Sequence, residues 1–527
     1  MANYYQEPAG QIIKIFFPTS FLASPPATRE LEIPPQELQR PRPDIVLGSF
    51  AERIEHYSII VREAYAKKQS IVIFAPTLAV LEYIASSLAH LPLNPIILHG
   101  SLTPKQTRIA CGRIISKTSP SLVISSTLAL GLLSGYESIV IIEDSDSNHY
   151  IRQEHPRINT AKATILFAQH IRAKCIEGKT LPSIRDLNEE RQLHYLSSRV
   201  KQRAPGAIID MRQQKNPIIS DDLLALLKEH TERALLFTTR KGFYTFIICS
   251  DCGKLLGCPA CNMPLVMRDS GKRMYNCRKC ERELPPEIPC STCNGWNLRG
   301  YGIGTQRVLQ ELKTLGVTRP LWIYDDTVAP NKTIKEKIIA QFLTSPNGIL
   351  IGTDAMLEEP RLTACHGAIV NLDNLFSIPD FRINERVLSI ILKLHGKVSD
   401  AFIFIQTRFS QHQLFDHFIR QDIKGFLRVE CAERKQADLP PSILFIKATI
   451  RDTQQDRRAA KVKGLTDLVT GLAEYVSNYP AFNDDTRHHI LISINEQNWI
   501  KNAENLKEIL SAHKDQWDIV VEPENIL

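Results

Sequence analysis

The chain contains the stretch CSDCGKLLGCPACNMPL at 249–265 and the stretch YNCRKCERELPPEIPCSTCNGWNLRGYGIGTQRVLQEL at 275–312. Eight of its twelve cysteines lie in these two stretches as four CxxC pairs, which are Cys249/Cys252, Cys258/Cys261, Cys277/Cys280 and Cys290/Cys293. A CxxC pair spaces two thiolates so that both can bind one tetrahedral zinc ion, and eight such ligands fill two sites. The spacing predicts a module that holds two Zn²⁺ ions. It leaves open whether the four pairs combine sequentially or interleave.

The composition is that of an ordinary globular protein with several domains. The 527 residues exceed what one hydrophobic core organises, and 43% of them are hydrophobic and 23% charged. No apolar run reaches the roughly 20 residues that span a bilayer, and the N-terminus lacks the pattern of a secretory signal. We therefore expect no membrane association and a reducing, cytoplasmic setting, in which clustered cysteines bind metal. The net charge of +7 permits a polyanionic partner such as DNA but does not require one.

The order of apolar segments predicts two α/β domains and a smaller third domain. Residues 1–45 are rich in proline and glutamate and predict a tail or linker. Residues 46–230 form a first domain, because short strand patterns there alternate with helical ones, as they do in a parallel sheet. The predicted strands are SIVIFAP (70–76), NPIILHG (94–100), SLVIS (121–125) and SIVIIED (138–144).

A second strand series predicts another α/β domain over residues 231–440, with the cysteine module inserted at 247–300. Its predicted strands are RALLFTT (233–239), PLWIYDD (320–326), GILIGTD (348–354), GAIVNLD (367–373) and DAFIFIQT (400–407). Residues 441–527 predict a small α+β domain with strands in ILFIKATI, HHILISI and WDIVVEP.

The cysteine spacing, CxxC-x5-CxxC and CxxC-x9-CxxC followed by the GxGTxRV pattern at 302–308, closely resembles the zinc insertion of PriA-type primosomal helicases. The resemblance continues in FTTRKGFY (237–244), HYIRQEHPRIN (149–159), NLDNLFSIPDFRINERVLSIILKLHGK (371–397) and WDIVVEPENIL (517–527). It implies two RecA-like helicase lobes and a PriA-like C-terminal domain. It also implies an interleaved arrangement, in which the outer two cysteine pairs share one ion and the inner two share the other. The 45 residues before the first lobe are too few for the family's 3′-end-binding domain and winged helix, so the resemblance predicts a truncated N-terminus.

The phosphate loop is where the chain first departs from that family. A helicase motor needs a glycine-rich loop, a lysine and a hydroxyl that hold the phosphates and Mg²⁺, and the family has GSGKT there. Alignment on Gly48-Ser49 leaves Ala51 at the lysine position, whereas alignment on EHY at 55–57 leaves Arg53 there. Both alignments lose the hydroxyl that would hold magnesium.

The other motor motifs are altered as well. The family's DEEH motif, whose acids serve Mg²⁺ and the attacking water, is matched here by EDSD at 143–146. Its arginine-finger segment, which stabilises charge on the transferring phosphoryl group, is matched at 396–400, with Lys397 in place of the first arginine. Lysine cannot make the bidentate contact that arginine makes. These changes argue against ATP and Mg²⁺ as working cofactors and predict no catalytic residues.

The resemblance therefore predicts a replication-restart or primosome protein that binds forked or single-stranded DNA as a monomer, with replication proteins as further partners and without ATPase activity. Two alternatives stay open: a divergent but active ATP-dependent 3′-to-5′ DNA helicase, and a protein-docking scaffold that does not bind DNA. The residues predicted to contact DNA are Arg240, Lys241, Arg307 and Arg382. The residues predicted as vestiges of a nucleotide site are Gly48, Ser49, Glu143, Asp144 and Lys397.

Overall fold

The computed structural model divides into two compact units, one formed by Met1–Ser198 with Leu427–Leu527 and the other by Arg199–Phe426. The residues that it describes are 2–17, 42–91, 95–116, 120–132, 138–188, 191–196, 206–239, 246–249, 251–252, 254, 256–260, 265–269, 273–277, 282–285, 287–290, 292–301, 303–376, 380–399, 402–481, 484–523 and 526.

The first unit is built on a seven-stranded parallel sheet in the order β3-β4-β2-β5-β6-β1-β7. Its strands are β1 (Asp44–Leu47), β2 (Ile71–Phe74), β3 (Ile96–Leu98), β4 (Leu122–Ser125), β5 (Ile139–Glu143), β6 (Lys174–Lys179) and β7 (Leu193–Tyr195). The central strands are buried along their whole length, as expected when helices cover both faces of a parallel sheet. All four strands predicted for this region are present.

The helices of this part of the chain are α1 (Ala2–Tyr5), α2 (Ala9–Ile15), α3 (Phe50–Ala66), α4 (Leu78–Ser87), α5 (Pro104–Ser116), α6 (Thr160–His170) and α7 (Ile184–Asn188), with 3₁₀ turns at Thr127–Leu132 and Asn148–Tyr150. The prediction of a tail over residues 1–45 needs correction for residues 2–17. Tyr4, Tyr5 and Phe16 are buried in the core of the first unit, and the Trp499 indole donates to the Tyr4 carbonyl over 3.1 Å. The aromatic side chains near the N-terminus anchor this segment, whereas residues 18–41 lie outside the described part.

The second unit contains a six-stranded parallel sheet and the cysteine module. In chain order its strands are β8 (Gly206–Asp210), β9 (Ala234–Thr238), β10 (Phe246–Cys249), β11 (Leu265–Asp269), β12 (Arg273–Cys277), β13 (Glu283–Leu284), β14 (Leu298–Tyr301), β15 (Leu321–Tyr324), β16 (Ile349–Gly352), β17 (His366–Asn371) and β18 (Ile403–Thr407). The parallel sheet runs β15-β16-β9-β17-β18-β8 and contains all five strands predicted for it. Its helices are α8 (Asp221–Glu229), α9 (Thr305–Thr314), α10 (Lys332–Thr344), α11 (Asp354–Glu358), α12 (Ile383–His395) and α13 (Gln413–Ile419).

Strand β8 lies in the second sheet, although its residues fall within the range 46–230 that was predicted for the first domain. It pairs in parallel with β18, from Gly206 opposite Ile403 to Asp210 opposite Thr407. This partner is about 200 residues away in sequence, and no local pattern could have indicated it. The predicted boundary at residue 230 is therefore too late for this strand and for α8.

The cysteine module consists of two small antiparallel sheets. Strand β10 pairs with β14, while β11, β12 and β13 form the second sheet. A compact core of Leu256, Leu265 and Tyr275 lies between the cysteine loops. Two short sheets bury little apolar surface, which is why such modules depend on metal.

The C-terminal segment forms an antiparallel sheet in the order β20-β21-β19-β22. Its strands are β19 (Leu444–Arg451), β20 (Tyr475–Ala481), β21 (Asp484–Ile494) and β22 (Asp518–Val521), and its helices are α14 (Ile423–Gln436), α15 (Gln455–Val469), α16 (Glu496–Lys501) and α17 (Glu504–Ala512). This sheet shares a core with α1, α2 and the first parallel sheet. None of the helices in the described residues is long and apolar enough to cross a bilayer.

The predicted fold class is confirmed. The chain has two RecA-like parallel α/β sheets, a cysteine module inserted in the second, and a small α+β C-terminal part.

Candidate functional site

The four outer cysteines, Cys249, Cys252, Cys290 and Cys293, converge at one point of the module. Their sulfur atoms all lie within 4.8 Å of one another. The Sγ atoms of Cys249 and Cys293 are 3.5 Å apart, and those of Cys252 and Cys290 are 3.7 Å apart. The grouping is the interleaved one that the family resemblance implied. Four thiolates at this spacing make a set of donors that could hold a metal ion and is typical of tetrahedral structural zinc.

In the second outer pair, the backbone favours the thiolate form of Cys290. The Cys290 N–H donates to the Gly295 carbonyl over 2.8 Å, which closes the loop around the pair. Backbone N–H groups of Cys293 and Thr292 point at the Cys290 sulfur and lower the pKa of that thiol to about 6. A side chain at Gly295 would collide with the Asp251 carboxylate and approach the Cys293 sulfur. This local geometry suits a metal ligand, because the deprotonated thiolate is the form that binds.

The inner cysteines are only partly described. Cys258 and Cys277 are buried in the small core of the module, beside Leu265 and Tyr275. Cys261 and Cys280 lie outside the described residues. The second four-cysteine site therefore stays a prediction.

The start of α3, where the family places its phosphate loop, is capped by the chain's own carboxylate. Ser49 is the N-cap residue, and its backbone N–H and its hydroxyl each donate to Glu52 Oε2 over 2.8 Å. A carboxylate is stabilised at a helix N-terminus for the same reason that a phosphate is, because the first N–H groups and the helix dipole favour negative charge. Glu52 therefore takes the electrostatic role that a bound phosphate would have.

Beside this capped turn, Arg53 and Glu143 form a buried ion pair. The Arg53 guanidinium donates to both oxygens of Glu143, to the Gly48 carbonyl over 2.6 Å and to the Thr180 hydroxyl over 3.2 Å. Burial alone would lower the pKa of Arg53, but the charge and hydrogen bonds of Glu143 hold it above its ordinary value.

Tyr57 completes this cluster by donating to Glu143 Oε2 over 2.6 Å, and burial followed by the charge of Glu143 raises the tyrosine's pKa. Glu143, the residue matched to the first motor acid, thus has both carboxylate oxygens engaged by the protein itself.

Lys179 neutralises a second group of acids in the same region. Its ammonium lies 2.9 Å from Asp186, 3.3 Å from Glu177 and 3.2 Å from Asp146, and its side chain is only 4% exposed. Lys179 is therefore committed to internal ion pairs. Asp144, the second residue matched to the motor acids, has a left-handed backbone (φ 48°) and accepts a turn hydrogen bond from the Ser147 N–H.

Lys397, at the arginine-finger position, also points into its own unit. Its ammonium donates to the Glu359 carbonyl over 2.7 Å and approaches that of Leu362 at 3.4 Å. Burial lowers the pKa of Lys397 to about 8, although the charge of Glu359 opposes this shift.

Of the four residues predicted to contact DNA, Arg307 and Arg382 lie among the described residues. Arg240 and Lys241 lie outside the described residues. Arg307 pairs with Glu311 at 3.7 Å along α9. Arg382 pairs with Asp380 at 3.3 Å and stacks over the Phe381 ring at 5.2 Å.

Sequence reasoning missed the joint role of Arg53, Tyr57 and Glu143. A signal was present in the sequence, because one of the two alignments puts Arg53 at the family's lysine position while an acid, Glu143, stands at the first position of the matched acidic motif. Gly178 was a second signal, because a side chain there would collide with the Tyr57 hydroxyl and the Glu143 carboxylate.

Two parallel α/β sheets, with a four-cysteine module inserted in the second, define a helicase-like protein with a candidate zinc centre. No protein-family profile matches the chain. Curated relatives do match it, among them the replication restart protein PriA of Bacillus subtilis, with 24% identity over 431 residues that cover 76% of this chain and 53% of the relative. The PriA protein of Chlamydia trachomatis is also similar, with 24% identity over 88% of this chain and 65% of the relative. That of Haemophilus influenzae is 26% identical over 67% of this chain and 51% of the relative. Over two-thirds or more of its length the chain is therefore similar to PriA-type replication restart proteins.

The matched segment spans about half to two-thirds of these relatives. Among solved structures, the chain is similar to RecG bound to a three-way DNA junction, with a TM-score of 0.41 and 11% identity over 74% of this chain and 43% of RecG. It is also similar to the NS3-like helicase of Alongshan virus, with a TM-score of 0.34 and 12% identity. This match covers 69% of this chain and 72% of the viral helicase.

Proposed function

We propose that this protein acts in replication restart by binding forked or single-stranded DNA through a zinc-containing helicase scaffold, without hydrolysing ATP. The observation that carries the proposal is the Arg53–Glu143 ion pair. A motor would need a cation at the position of Arg53 for the phosphates and an acid at the position of Glu143 for Mg²⁺. Here these two side chains bind each other inside the protein.

The loss of hydrolysis follows from the charges around this pair. A nucleotide phosphate at the start of α3 would meet the Glu52 carboxylate, which already holds the Ser49 N–H. A magnesium ion would have to displace Arg53 from Glu143 and leave a guanidinium buried without a partner, which costs several kcal/mol. Catalysis of phosphoryl transfer depends on correctly placed positive charge, and Lys397 is bonded to carbonyl groups instead.

The cysteine module is the part of the scaffold that we assign to DNA, with two Zn²⁺ ions as its cofactors. Trp296 follows the outer cysteines and is 68% exposed, an unusual state for a large aromatic side chain. Exposed Lys254 and Arg282 belong to the same module. Aromatic faces and nearby cations are the means by which proteins bind single strands without sequence preference. Association with primosome proteins, a monomeric state and a cytoplasmic location belong to the same proposal.

The experiment measures ATP turnover and DNA binding on one preparation. Fluorescence anisotropy with a labelled fork and a labelled single strand, at about 50 and 200 mM salt, should show binding that weakens as salt rises. ATP hydrolysis should stay at background with and without the fork. DNA-stimulated turnover would establish the active helicase instead. Failure to bind either DNA at low salt would leave the docking scaffold.

A further inference from the structure

The first unit contains a cavity of about 730 Å³ at the carboxyl end of β3, between α2 and the start of α5. Four of its thirteen lining residues are Lys14, His99, Arg152 and His155, and none of the thirteen is an aspartate or a glutamate. We propose that this cavity binds a phosphate group, carried by a single-stranded nucleic acid or by a free nucleotide. In its nucleic-acid form the inference rests on the proposed function.

Lys14 and Arg152 line the cavity and carry permanent positive charges. Acidic side chains offset these charges only weakly. Among the described residues, the nearest ion-pair partner of Arg152 is Glu154 at 3.7 Å, and that carboxylate is 90% exposed to solvent. Arg152 Nε is buried, and no described group accepts a hydrogen bond from it. A buried donor without an acceptor destabilises the protein, and a bound phosphate oxygen would remove that cost.

Neutral donors surround these charges. The His99 ring lines the cavity, and its Nδ1 accepts from the Ser101 N–H over 3.2 Å. The Gln11 amide and the Thr107 hydroxyl also line the cavity. A phosphate has several acceptor oxygens and no donor once it is fully ionised, so this set of groups matches it.

A buried acid beside the cavity, Glu7, is already paired with a lysine. Glu7 lies 3.6 Å from His155, but it is buried, is not part of the lining, and pairs with Lys514 at 2.9 Å. The start of α5 is also satisfied internally, because Thr103 and Gln106 cap it reciprocally. A ligand would therefore be held by the cationic side chains, not by the helix end.

Position and size support a single nucleotide unit. In parallel α/β sheets, ligands bind outside the carboxyl ends of the strands, and His99 directly follows β3. The volume falls within the range of roughly 300–1,000 Å³ that is typical of small-molecule sites. This cavity is distinct from the region around Arg53, where the protein's own side chains occupy the space.

The test compares Lys14→Ala/Arg152→Ala with Lys463→Ala/Arg457→Ala, a control that removes two exposed charges from α15 in the same unit. The probes are a 5′-phosphorylated oligothymidylate, the same oligonucleotide without the terminal phosphate, and ADP. Binding is measured by anisotropy for the oligonucleotides and by calorimetry for ADP, after thermal unfolding shows that both variants fold. We expect at least a tenfold loss of affinity for one phosphate probe in the cavity variant, and less than a twofold loss in the control.

Each outcome decides between the two inferences. The cavity inference is overturned if the cavity variant binds the oligonucleotides as well as the wild type does and ADP binding is either unchanged or absent. The proposed function would then still stand. ADP binding that the cavity variant loses, without any oligonucleotide binding, supports a nucleotide site and counts against the proposed function. If the wild-type protein binds none of the probes, the cavity inference is wrong.

Discussion

Arg53 and Glu143 form a buried ion pair in which the guanidinium nitrogens Nε and Nη2 donate to the carboxylate. The two residues are 90 positions apart in sequence, and their side chains are only 3% and 1% exposed. A charge pair so deep in the protein is costly to break from one side, because the remaining charge then has no partner. The pair therefore stabilises the first unit beside the segment that the family resemblance matched to the phosphate loop.

Replacing Arg53 with methionine should destabilise the protein by about 3–5 kcal/mol, since Glu143 would be left charged and buried. The double variant Arg53→Met/Glu143→Gln should recover much of that loss. Urea unfolding of the wild type, both single variants and the double variant measures the coupling. Additive effects of the two substitutions would show that the pair is not energetically connected. The double variant should also fail to gain ATP binding, because Glu52 still caps the helix.

Replacing Cys290 with serine should lower the zinc content from two ions per chain to one. The thiolate lost belongs to the outer group, while the predicted inner group keeps its four ligands. Metal analysis of the purified protein gives the stoichiometry, and limited proteolysis should show cleavage within 247–300. Cys365→Ser is the matched control, because Cys365 lies outside the module, and it should keep both ions. Two ions retained by Cys290→Ser would contradict the assigned ligand set.

Glu522 should make the stability of the first unit fall in acid. Burial would raise its pKa, but Lys162 at 2.8 Å and Arg185 at 2.5 Å lower it to about 2. Glu496 contacts the same two cations, and its pKa is also lowered.

Because the folded-state pKa lies below the unfolded value of about 4.3, this stabilisation is complete above pH 4.3 and is lost as pH falls toward 2. For Glu522 the loss amounts to about 3 kcal/mol. Unfolding curves measured at pH 7, 4.5 and 3 should therefore show that the free energy of unfolding falls more between pH 4.5 and 3 for the wild type than for Glu522→Gln. Glu154→Gln, at an exposed position, should follow the wild type. If the free energy of unfolding of the wild type did not change between pH 4.5 and 3, the ion pairs of Glu522 would not control stability in acid.

Trp296→Ala should weaken single-strand binding by about 1–3 kcal/mol, the contribution of one base stacked on an aromatic ring. The side chain is exposed, so its removal should leave the unfolding temperature unchanged. Trp296→Phe, which keeps an aromatic face, should retain most of the affinity. Equal affinity of the alanine variant and the wild type would exclude the stacking role.

Nine of the thirteen described strands in the two parallel sheets were predictable from sequence, because short apolar runs are local signals. The CxxC pairs are local signals as well, and the outer two pairs converge as the family resemblance implied. An apolar run such as IVIF at 71–74 is buried wherever it pairs, and a CxxC pair has a metal-binding spacing in any context. Strand β6 was not predicted, because its sequence KCIEGK contains charged residues that are unusual in a buried strand. These charges are tolerated there because Lys179 forms ion pairs with Asp186 and Glu177.

By itself, the sequence determined the cysteine module, the two α/β sheets and the differences from the motor motifs of the family it resembles, because residue identity and spacing alone specify them. Only the tertiary structure decided that Arg53 and Glu143 neutralise each other and that the aromatic N-terminal segment packs into the core. Only the tertiary structure showed the cavity of cationic side chains beside β3. Each of these depends on contacts between residues far apart in the chain, and the energy of a buried charge is set by the partner that folding brings to it.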